Sequence, residues 1–229
     1  MDLIFEYRQI LMEGTLVTVS LAFLSLLLSI VCGLLGAFAK LSQSRKVQRI
    51  GNLYTTFVRS VPDLVLMMLI FYGGQKLVND FGLLTGLWSY VDVNQFVAGV
   101  VTLGIIFGGY MAETFRGAIL AIPRGQIEAA ISVGMSPRQV FQLVTWPQMV
   151  RYALPSFTNN WLVLVKSTAL VSVIGLHDLV WNAFSAGRST HKLFTFMIAV
   201  LLIYLVITAI SDVALRRVDR KYSAGVRRA

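Results

Sequence analysis

The feature that most constrains this chain is the long run from Thr15 to Ala39, which contains no charged side chain. A helix needs about 20 apolar residues to cross the hydrocarbon core of a bilayer, so this run predicts a transmembrane helix. Four further apolar stretches predict spans, near 51–75, from 96, near 152–176 and over 193–211. Only 14% of the residues are charged, against about 25% in soluble domains. The 229 residues are therefore expected to form one all-α, polytopic membrane domain with five transmembrane helices.

The segments outside the apolar cores of these spans also have patterns. Residues 1–13 place apolar side chains on one helical face and acids elsewhere, which is typical of an amphipathic helix on the membrane surface. Residues 76–95 contain acids and glycines and predict a loop. The third span has small residues that favour close packing against helices rather than lipid: Gly99, Gly104, Gly108 and Gly109.

The distribution of charge predicts an orientation. The net charge is +9, and most basic residues fall on one side of the predicted spans. They are Lys40, Arg45, Lys46, Arg49, Arg116, Arg124, Arg138, Arg151, Arg216, Arg217, Arg220, Lys221, Arg227 and Arg228. Basic loops mark the cytoplasmic side, so we expect a periplasmic N-terminus and a basic cytoplasmic tail over 212–229. The charge is then explained by orientation and anionic membrane lipid, and not by nucleic acid.

The stretch from Glu128 to Pro147 lies between two spans but is not composed like a simple loop. Ile127, Ala130 and Ile131 form an apolar stripe at helical spacing, and Gly134 suits a left-handed turn. Ser136 can cap a second helix, with Pro137 at its first position. The pattern predicts a helix, a sharp turn and a second helix outside the membrane. An interfacial hairpin without a partner is the alternative.

This stretch resembles the EAA loop of ABC-importer permeases. The motif is Glu-Ala-Ala, three residues, Gly, nine residues, then Ile-x-Leu-Pro, and its matching positions here are Glu128, Ala129, Ala130, Gly134 and Pro147. Val144 and Trp146 depart from the motif. The resemblance implies that residues 119–151 are a cytoplasmic loop that couples the permease to an ATPase subunit.

Outside the loop, the chain is similar to the polar amino acid permeases, and most similar to those for histidine, lysine, arginine and ornithine. The similar segments are 59–66, 113–118, 153–155, 159–161, 166–170 and 222–226. The resemblance implies a type I ABC importer permease fold in the bacterial inner membrane. It also implies three kinds of partner: a second homologous permease in a heterodimer, two ATPase subunits and a periplasmic amino-acid-binding protein. Membrane lipid is a fourth expected partner, from the charge distribution.

The sequence does not predict enzymatic chemistry in this chain. It has no Gly-x-x-x-x-Gly-Lys-Ser/Thr phosphate loop, so ATP and Mg²⁺ are expected on the partner ATPase and no cofactor is expected here. His177 and His191 are far apart in an outer loop and do not predict a metal site.

Polar residues in or beside the spans are candidates for a substrate pathway: Asp63, Glu113, Asn159, Asn160, Lys166, Ser167 and Thr168. Glu113 would favour a cationic substrate, and Lys166 or the adjacent hydroxyls would serve its carboxylate or gating. Each has an alternative. Glu113 can pair with Arg116 at i, i+3, and Asp63 can pair with Arg59 at i, i+4. The Ser167 and Thr168 hydroxyls can bond the preceding turn, and the Asn159 and Asn160 amides can bridge helices. Lys166 can face a cavity or a carboxylate from another helix.

The sequence therefore predicts an ATP-driven importer subunit for basic amino acids that works by alternating access. A permease for another polar amino acid, half of an ion-driven secondary transporter, and a membrane sensor that transports nothing are the alternatives.

Overall fold

A computed structural model describes residues 2–223, and every regular element in that range is helical. The α-helices are α1 (Asp2–Glu6), α2 (Arg8–Leu41), α3 (Arg45–Ser60), α4 (Asp63–Thr85), α5 (Gln95–Leu120), α6 (Arg124–Ser132), α7 (Pro137–Gln139), α8 (Trp146–Ser167), α9 (Leu179–Ser189) and α10 (Leu193–Ser223). A π-helical segment, Val140–Thr145, joins α7 to α8, and a 3₁₀ segment, Thr168–Ile174, extends α8.

Within the described residues, four helical stretches are long and apolar enough to cross a membrane: Arg8–Leu41, Gln95–Leu120, Pro137–Ile174 and Leu193–Tyr222. Helices α3 and α4 make a fifth span if they are counted together, but they are bent by 110°. The bend lies at Pro62, whose ring forces Val61 into an extended conformation (φ −104°, ψ 138°). The all-α prediction is confirmed, whereas the second span is two helices rather than one interrupted helix.

The prediction of a separate surface helix over residues 1–13 is wrong. Only Asp2–Glu6 forms a short helix, and Arg8 already begins the first long helix. Leu11 is 4% exposed and belongs to a cluster with Leu179 and Phe196. Leu11 is therefore covered by α9 and α10, with Ile4 and Tyr7 packed against the same cluster, whereas Ile10 of the stripe is 42% exposed. Helical periodicity cannot distinguish this tertiary contact from contact with a membrane surface.

The predicted loop over 76–95 is shorter in the structure, because α4 continues to Thr85 and ends at Gly86, which has φ +70°. Lys76 and Asp80 pair on the helix surface at 2.8 Å, so these charges do not interrupt the helix. The connection 86–94 folds back on α4, where the side chains of Gln75 and Asn79 accept hydrogen bonds from the backbone of Val93 and Val91 at 2.7 Å.

The centre of the bundle is the contact between α2 and α5. A Cβ built on Gly33 would lie 2.5 Å from Met111 Cβ, and one on Gly36 would lie 2.8 Å from Ala112 Cβ. In the other direction, Gly104 faces Leu28 at 2.5 Å. The predicted small-residue face of the third span therefore packs against protein, because two backbones approach more closely than side chains would permit.

The fourth and fifth spans are longer than predicted. The fourth is continuous from Pro137 to Ile174, so the second helix of the loop is the start of the span. It ends at Gly175, which has φ +87°. Helix α10 continues the fifth span through residues 212–223 of the predicted tail, and residues 224–229 lie outside the described part of the chain.

Candidate functional site

The turn after α6 is built from two backbone hydrogen bonds. Met135 N–H donates to the Ala130 carbonyl at 3.1 Å, and Gly134 N–H donates to the Ile131 carbonyl at 2.9 Å. This pair of bonds is a Schellman motif, which needs a left-handed residue at its centre. Gly134 supplies that conformation with φ +83°, as the sequence predicts.

The second helix starts with a capping box. Gln139 N–H donates to Ser136 Oγ at 3.4 Å, and Ser136 N–H donates to Gln139 Oε1 at 2.9 Å. Pro137 occupies the first turn, where its missing N–H would have no helical partner. The helix–turn–helix is therefore fixed by local interactions at both sides of the turn.

Pro147 follows a π-helical turn. The ring of a proline clashes with the carbonyl four residues earlier, here Leu143, and removes the N–H that would bond it. Residues 140–145 adopt the wider π geometry instead, and Trp146 N–H bonds the Phe141 carbonyl. Sequence reasoning missed this segment, for which the proline is the available signal.

The motif residues divide into one buried and four exposed positions. Ala130 is 6% exposed and lies on the face of α6 that packs against the π segment. Glu128, Ala129, Gly134 and Pro147 are exposed. Ile131, which belongs to the predicted apolar stripe, is 59% exposed, and Val133 at the end of α6 is 74% exposed. The loop therefore presents apolar side chains beside an acid.

Glu113 lies at the centre of an ion-pair cluster that joins three helices. Its carboxylate pairs with Lys40 of α2, with Arg116 Nε at 3.1 Å and with Arg59 Nη1 of α3 at 3.7 Å. Lys40 also donates to Thr55 Oγ1 at 2.9 Å. The Glu113–Arg116 pair is the alternative that i, i+3 spacing predicts, and Lys40 and Arg59 are two further cations that this spacing does not predict.

The predicted pair of Arg59 and Asp63 does not form. Arg59 ends α3 and Asp63 begins α4, and the bend between these helices removes the i, i+4 geometry. Arg59 instead reaches Glu113 and lies 5.7 Å from the ring centre of Tyr110.

Two other candidates make contacts between helices. Asn160 donates to Thr114 Oγ1 of α5 at 3.0 Å. Thr168 is fully buried, donates to the Val165 carbonyl at 2.7 Å and lies 3.2 Å from the Tyr204 hydroxyl. These contacts match the alternatives of helix bridging and bonding to the preceding turn.

Asn159 and Lys166 are exposed and lie seven residues apart on α8, so they share a helical face. No carboxylate of the described residues pairs with Lys166, which leaves the alternative of a cavity. Ser167 is half-buried. Asn160 therefore reaches Thr114, the neighbour of Glu113 on α5, whereas Asn159 and Lys166 lie on the exposed face of α8.

Asp178 is a buried acid that sequence reasoning did not single out. It caps α9, accepting a hydrogen bond from Trp181 N–H at 2.9 Å on Oδ1, while Oδ2 has no hydrogen-bond partner. Burial is the larger effect on this carboxyl and raises its pKa to about 6. Hydrogen bonds from the backbone of Trp181, Val180 and Asp178 itself lower the pKa and offset part of that rise. Within residues 2–223, no three His, Cys, Asp or Glu side chains are placed to hold a metal.

Residues 25–224 match the sequence profile of a family described as the binding-protein-dependent transport system inner membrane component. The chain belongs to this family. That membership confirms the resemblance to ABC-importer permeases, and it makes the chain a multi-pass component of the inner membrane.

Individual relatives of this permease family match over almost the whole chain. The histidine/lysine/arginine/ornithine transport system permease HisQ of Escherichia coli strain K12 is 47% identical over 227 residues, 99% of each chain. The arginine ABC transporter permease ArtQ of Haemophilus influenzae is 36% identical, covering 95% of this chain and 96% of ArtQ.

The fold matches a crystal structure of an amino acid ABC transporter with histidines. The TM-score is 0.80 at 30% identity, with 95% of this chain and 96% of that chain covered. The ABC importer permease fold is therefore confirmed.

Proposed function

We propose that this chain is the permease subunit of an ATP-driven importer for basic amino acids and works by alternating access. Histidine, arginine, lysine and ornithine are the expected substrates, because HisQ and ArtQ, which match almost the whole chain, are named for them. ATP and Mg²⁺ bind two separate ATPase subunits. A second homologous permease completes the membrane unit as a heterodimer, and a periplasmic binding protein delivers the amino acid.

The observation that carries the proposal is the continuity of the loop with a membrane span. From the capping box at Ser136, one helical stretch runs to Ile174 through the π turn. A displacement of the exposed Glu128–Pro147 surface by an ATPase is transmitted to α8 without a flexible connection. Ile131, Val133 and Leu143 provide exposed apolar area for that contact.

The exposed face of α8 is the proposed wall of the substrate pathway. A lysine in a span is unfavourable unless it faces water or a partner. Lys166 is exposed, and no carboxylate of the described residues pairs with it. Lys166 and Asn159 therefore face the second permease or the water between the two subunits. Ser167 and Thr168 lie beside them on the chain, and Asn160 fixes this part of α8 to α5.

Glu113 and Asp63 have a different place in the proposal. The Glu113 carboxylate is shared by three cations, so contact with a cationic substrate requires it to release Arg59 or Arg116. Asp63 is half-buried in the first turn of α4, next to the bend. Both acids are proposed to favour a cationic substrate when the bend changes during the transport cycle.

Reconstitution of the complete transporter into vesicles tests the proposal. With ATP on the ATPase side and binding protein on the other, we expect uptake of arginine, lysine and histidine that exceeds uptake of glutamine. Uptake must persist when ionophores collapse all ion gradients. Uptake that follows an ion gradient without ATP would identify a secondary transporter. Preference for a neutral amino acid would contradict the substrate class, and binding without flux would indicate a sensor.

A further inference from the structure

Helix α3 has an exposed apolar face that the bundle does not cover. Gly51, Thr55 and Val58 are buried against α2 and α5. On another side of the helix, Ile50 is 68% exposed, Leu53 71% and Phe57 55%. This second apolar face lies on the outside of the bundle, where it is available for contact with the acyl chains of the membrane.

A groove beside this face runs between α2 and α3. It has a volume of about 290 Å³, and it is lined by apolar side chains that include Cys32, Leu35, Ala39, Ile50, Tyr54 and Ile105. Leu35 and Ile50 at its edges are 65% and 68% exposed, so the groove opens to the outside of the bundle. An acyl chain is the ligand that fits an apolar groove open to lipid.

The end of the groove at Ala39 and Ile50 lies beside a group of cations. A Cβ on Gly51 would lie 3.1 Å from Ala39 Cβ, so α3 returns antiparallel to α2 from this level. Arg45, Lys46 and Arg49 precede that level and are exposed. Lys46 and Ile50 are one turn apart on the same side of α3, which places an ammonium group next to the edge of the groove.

These cations lack anionic partners in the described chain. No ion pair forms to Arg45, Lys46 or Arg49 within residues 2–223, and the sequence between Lys40 and Pro62 contains no acid. Lys40 is different, because it pairs with Glu113 and bonds Thr55. The three remaining cations also surround the N-terminus of α3, where the helix dipole favours an anion.

We propose that α2 and α3 form a binding site for an anionic phospholipid. One acyl chain lies in the groove, and the headgroup phosphate contacts Arg45, Lys46 and Arg49. Basic pockets between membrane helices recognise anionic headgroups in this way. The proposal requires that the protein lies in a membrane, which follows from its family. It does not depend on which substrate is transported or on which side of the membrane the N-terminus lies.

Photocrosslinking tests the site in the intact transporter. The complex is placed in nanodiscs of phosphatidylcholine with a small fraction of phosphatidylglycerol that carries a diazirine in its acyl chain. We expect crosslinks to map to residues 32–54. Arg45→Gln, Lys46→Gln and Arg49→Gln should each lower labelling by about five-fold, the factor for about 1 kcal/mol per cation near an anionic surface.

Two controls separate this site from general attraction to charge. Replacing Arg217, Arg220 and Lys221 by glutamine removes three exposed cations from another helix, α10, and labelling of 32–54 should not change. Arg45→Lys with Arg49→Lys keeps the charge and should retain labelling. Cys32→Leu should displace the lipid acyl chain from the groove and lower labelling, although all three cations remain.

Three outcomes would overturn the proposal. The first is equal loss of labelling in the α10 control. The second is equal labelling of 32–54 by a zwitterionic phosphatidylcholine probe, which would indicate a surface without headgroup recognition. The third is labelling that appears only when the second permease is removed, which would mean that this face is a subunit interface.

Discussion

Gly134 is required by backbone conformation rather than by space. Its φ is +83°, and a Cβ placed on it would meet no atom within 4 Å. A β-branched residue is strongly disfavoured at this φ, whereas asparagine adopts it more readily. In Gly134→Val, the left-handed conformation should cost about 1–2 kcal/mol, so the Schellman turn should be distorted. Gly134→Asn should largely preserve the turn.

The measurement for Gly134 is binding-protein-stimulated ATP hydrolysis in the complex, with ATPase co-purification beside it. We expect the Gly134→Val complex to lose stimulated hydrolysis or to lose the ATPase during purification. The Gly134→Asn complex should retain both. Similar behaviour of the two variants would show that the left-handed turn is not needed for coupling.

We expect Asp178 to make the stability of the permease depend on pH. Its folded pKa of about 6 lies above the ordinary value of 3.8, so folding favours the protonated form. The stabilisation from this proton is complete below about pH 4 and is lost as the pH rises through 6. Asp178→Asn keeps an oxygen for the Trp181 N–H and removes the buried charge, so it should raise stability at pH 8 by at most about 3 kcal/mol.

Thermal unfolding of the complex at a series of pH values checks this prediction. The Tm of the parent should fall between about pH 5 and pH 7, and the Asp178→Asn variant should lack most of that fall. Asp92→Asn, an exposed acid in the connection 86–94, is the matched control and should follow the parent. A parent-like pH profile in Asp178→Asn would contradict the assignment.

The π segment is the element that sets the angle between the loop and α8. Pro147→Ala restores an N–H and removes the clash with the Leu143 carbonyl, so residues 140–147 can close into α-helix. Losing one wide turn rotates the preceding segment by about 100°, the angle of one residue. We expect assembly to persist while ATP hydrolysis no longer drives uptake.

Pro155 provides the control for that experiment, because it lies inside the same helix, is exposed and does not follow a π segment. Pro155→Ala should leave the ratio of uptake to ATP hydrolysis unchanged. If Pro147→Ala also keeps the parental ratio, the π segment has no part in coupling.

The α2–α5 contact tolerates no side chain at Gly104. A Cβ there would lie 2.7 Å from Leu28 Cγ and 2.8 Å from Leu28 Cβ, atoms close to the helix backbone that cannot move far. Gly104→Ala should lower stability by about 1–3 kcal/mol through overpacking. Gly117→Ala on the same helix meets open space and should be neutral or slightly stabilising. Thermal unfolding of both complexes distinguishes them, and equal Tm values would argue against close packing.

The topology of the whole molecule depends on the bent pair α3–α4. If the pair crosses the membrane once, the turn 42–44 and the connection 86–94 lie on opposite sides. Helix α5 then returns the chain to the side of the turn 42–44, which puts the loop 119–151 in the cytoplasm by the charge distribution. An impermeant thiol reagent should label Ser89→Cys in cells with a permeable outer membrane, and label Ser132→Cys only after lysis. Labelling of Ser132→Cys from outside would reverse the proposed orientation.

Local interactions account for what could be predicted from the sequence. The turn at Gly134, the cap at Ser136 and the first helix position of Pro137 depend on neighbours within six residues, so the sequence contains the necessary information. The apolar runs likewise predict spans because the bilayer fixes their length.

Contacts between distant residues account for what could not be predicted. Lys40 and Glu113 are 73 residues apart, and nothing in either helix alone indicates that they meet. Arg59 has an acid four residues away in Asp63, yet the bend directs it to Glu113. Leu11 packs against α9 and α10. The sequence could not predict this contact, because a helical period identifies an apolar face but not the partner that covers it.

The glycine contact between α2 and α5 also has a consequence for biosynthesis. Residues 42–94 lie between these helices, so the ribosome completes α2 long before it makes Met111 and Ala112. Until α5 enters the membrane, Gly33 and Gly36 are not covered by α5 and face lipid or the insertion machinery. This contact therefore forms late, and we expect a chain truncated before residue 95 to expose the uncovered glycine face of α2 to the quality-control proteases of the membrane.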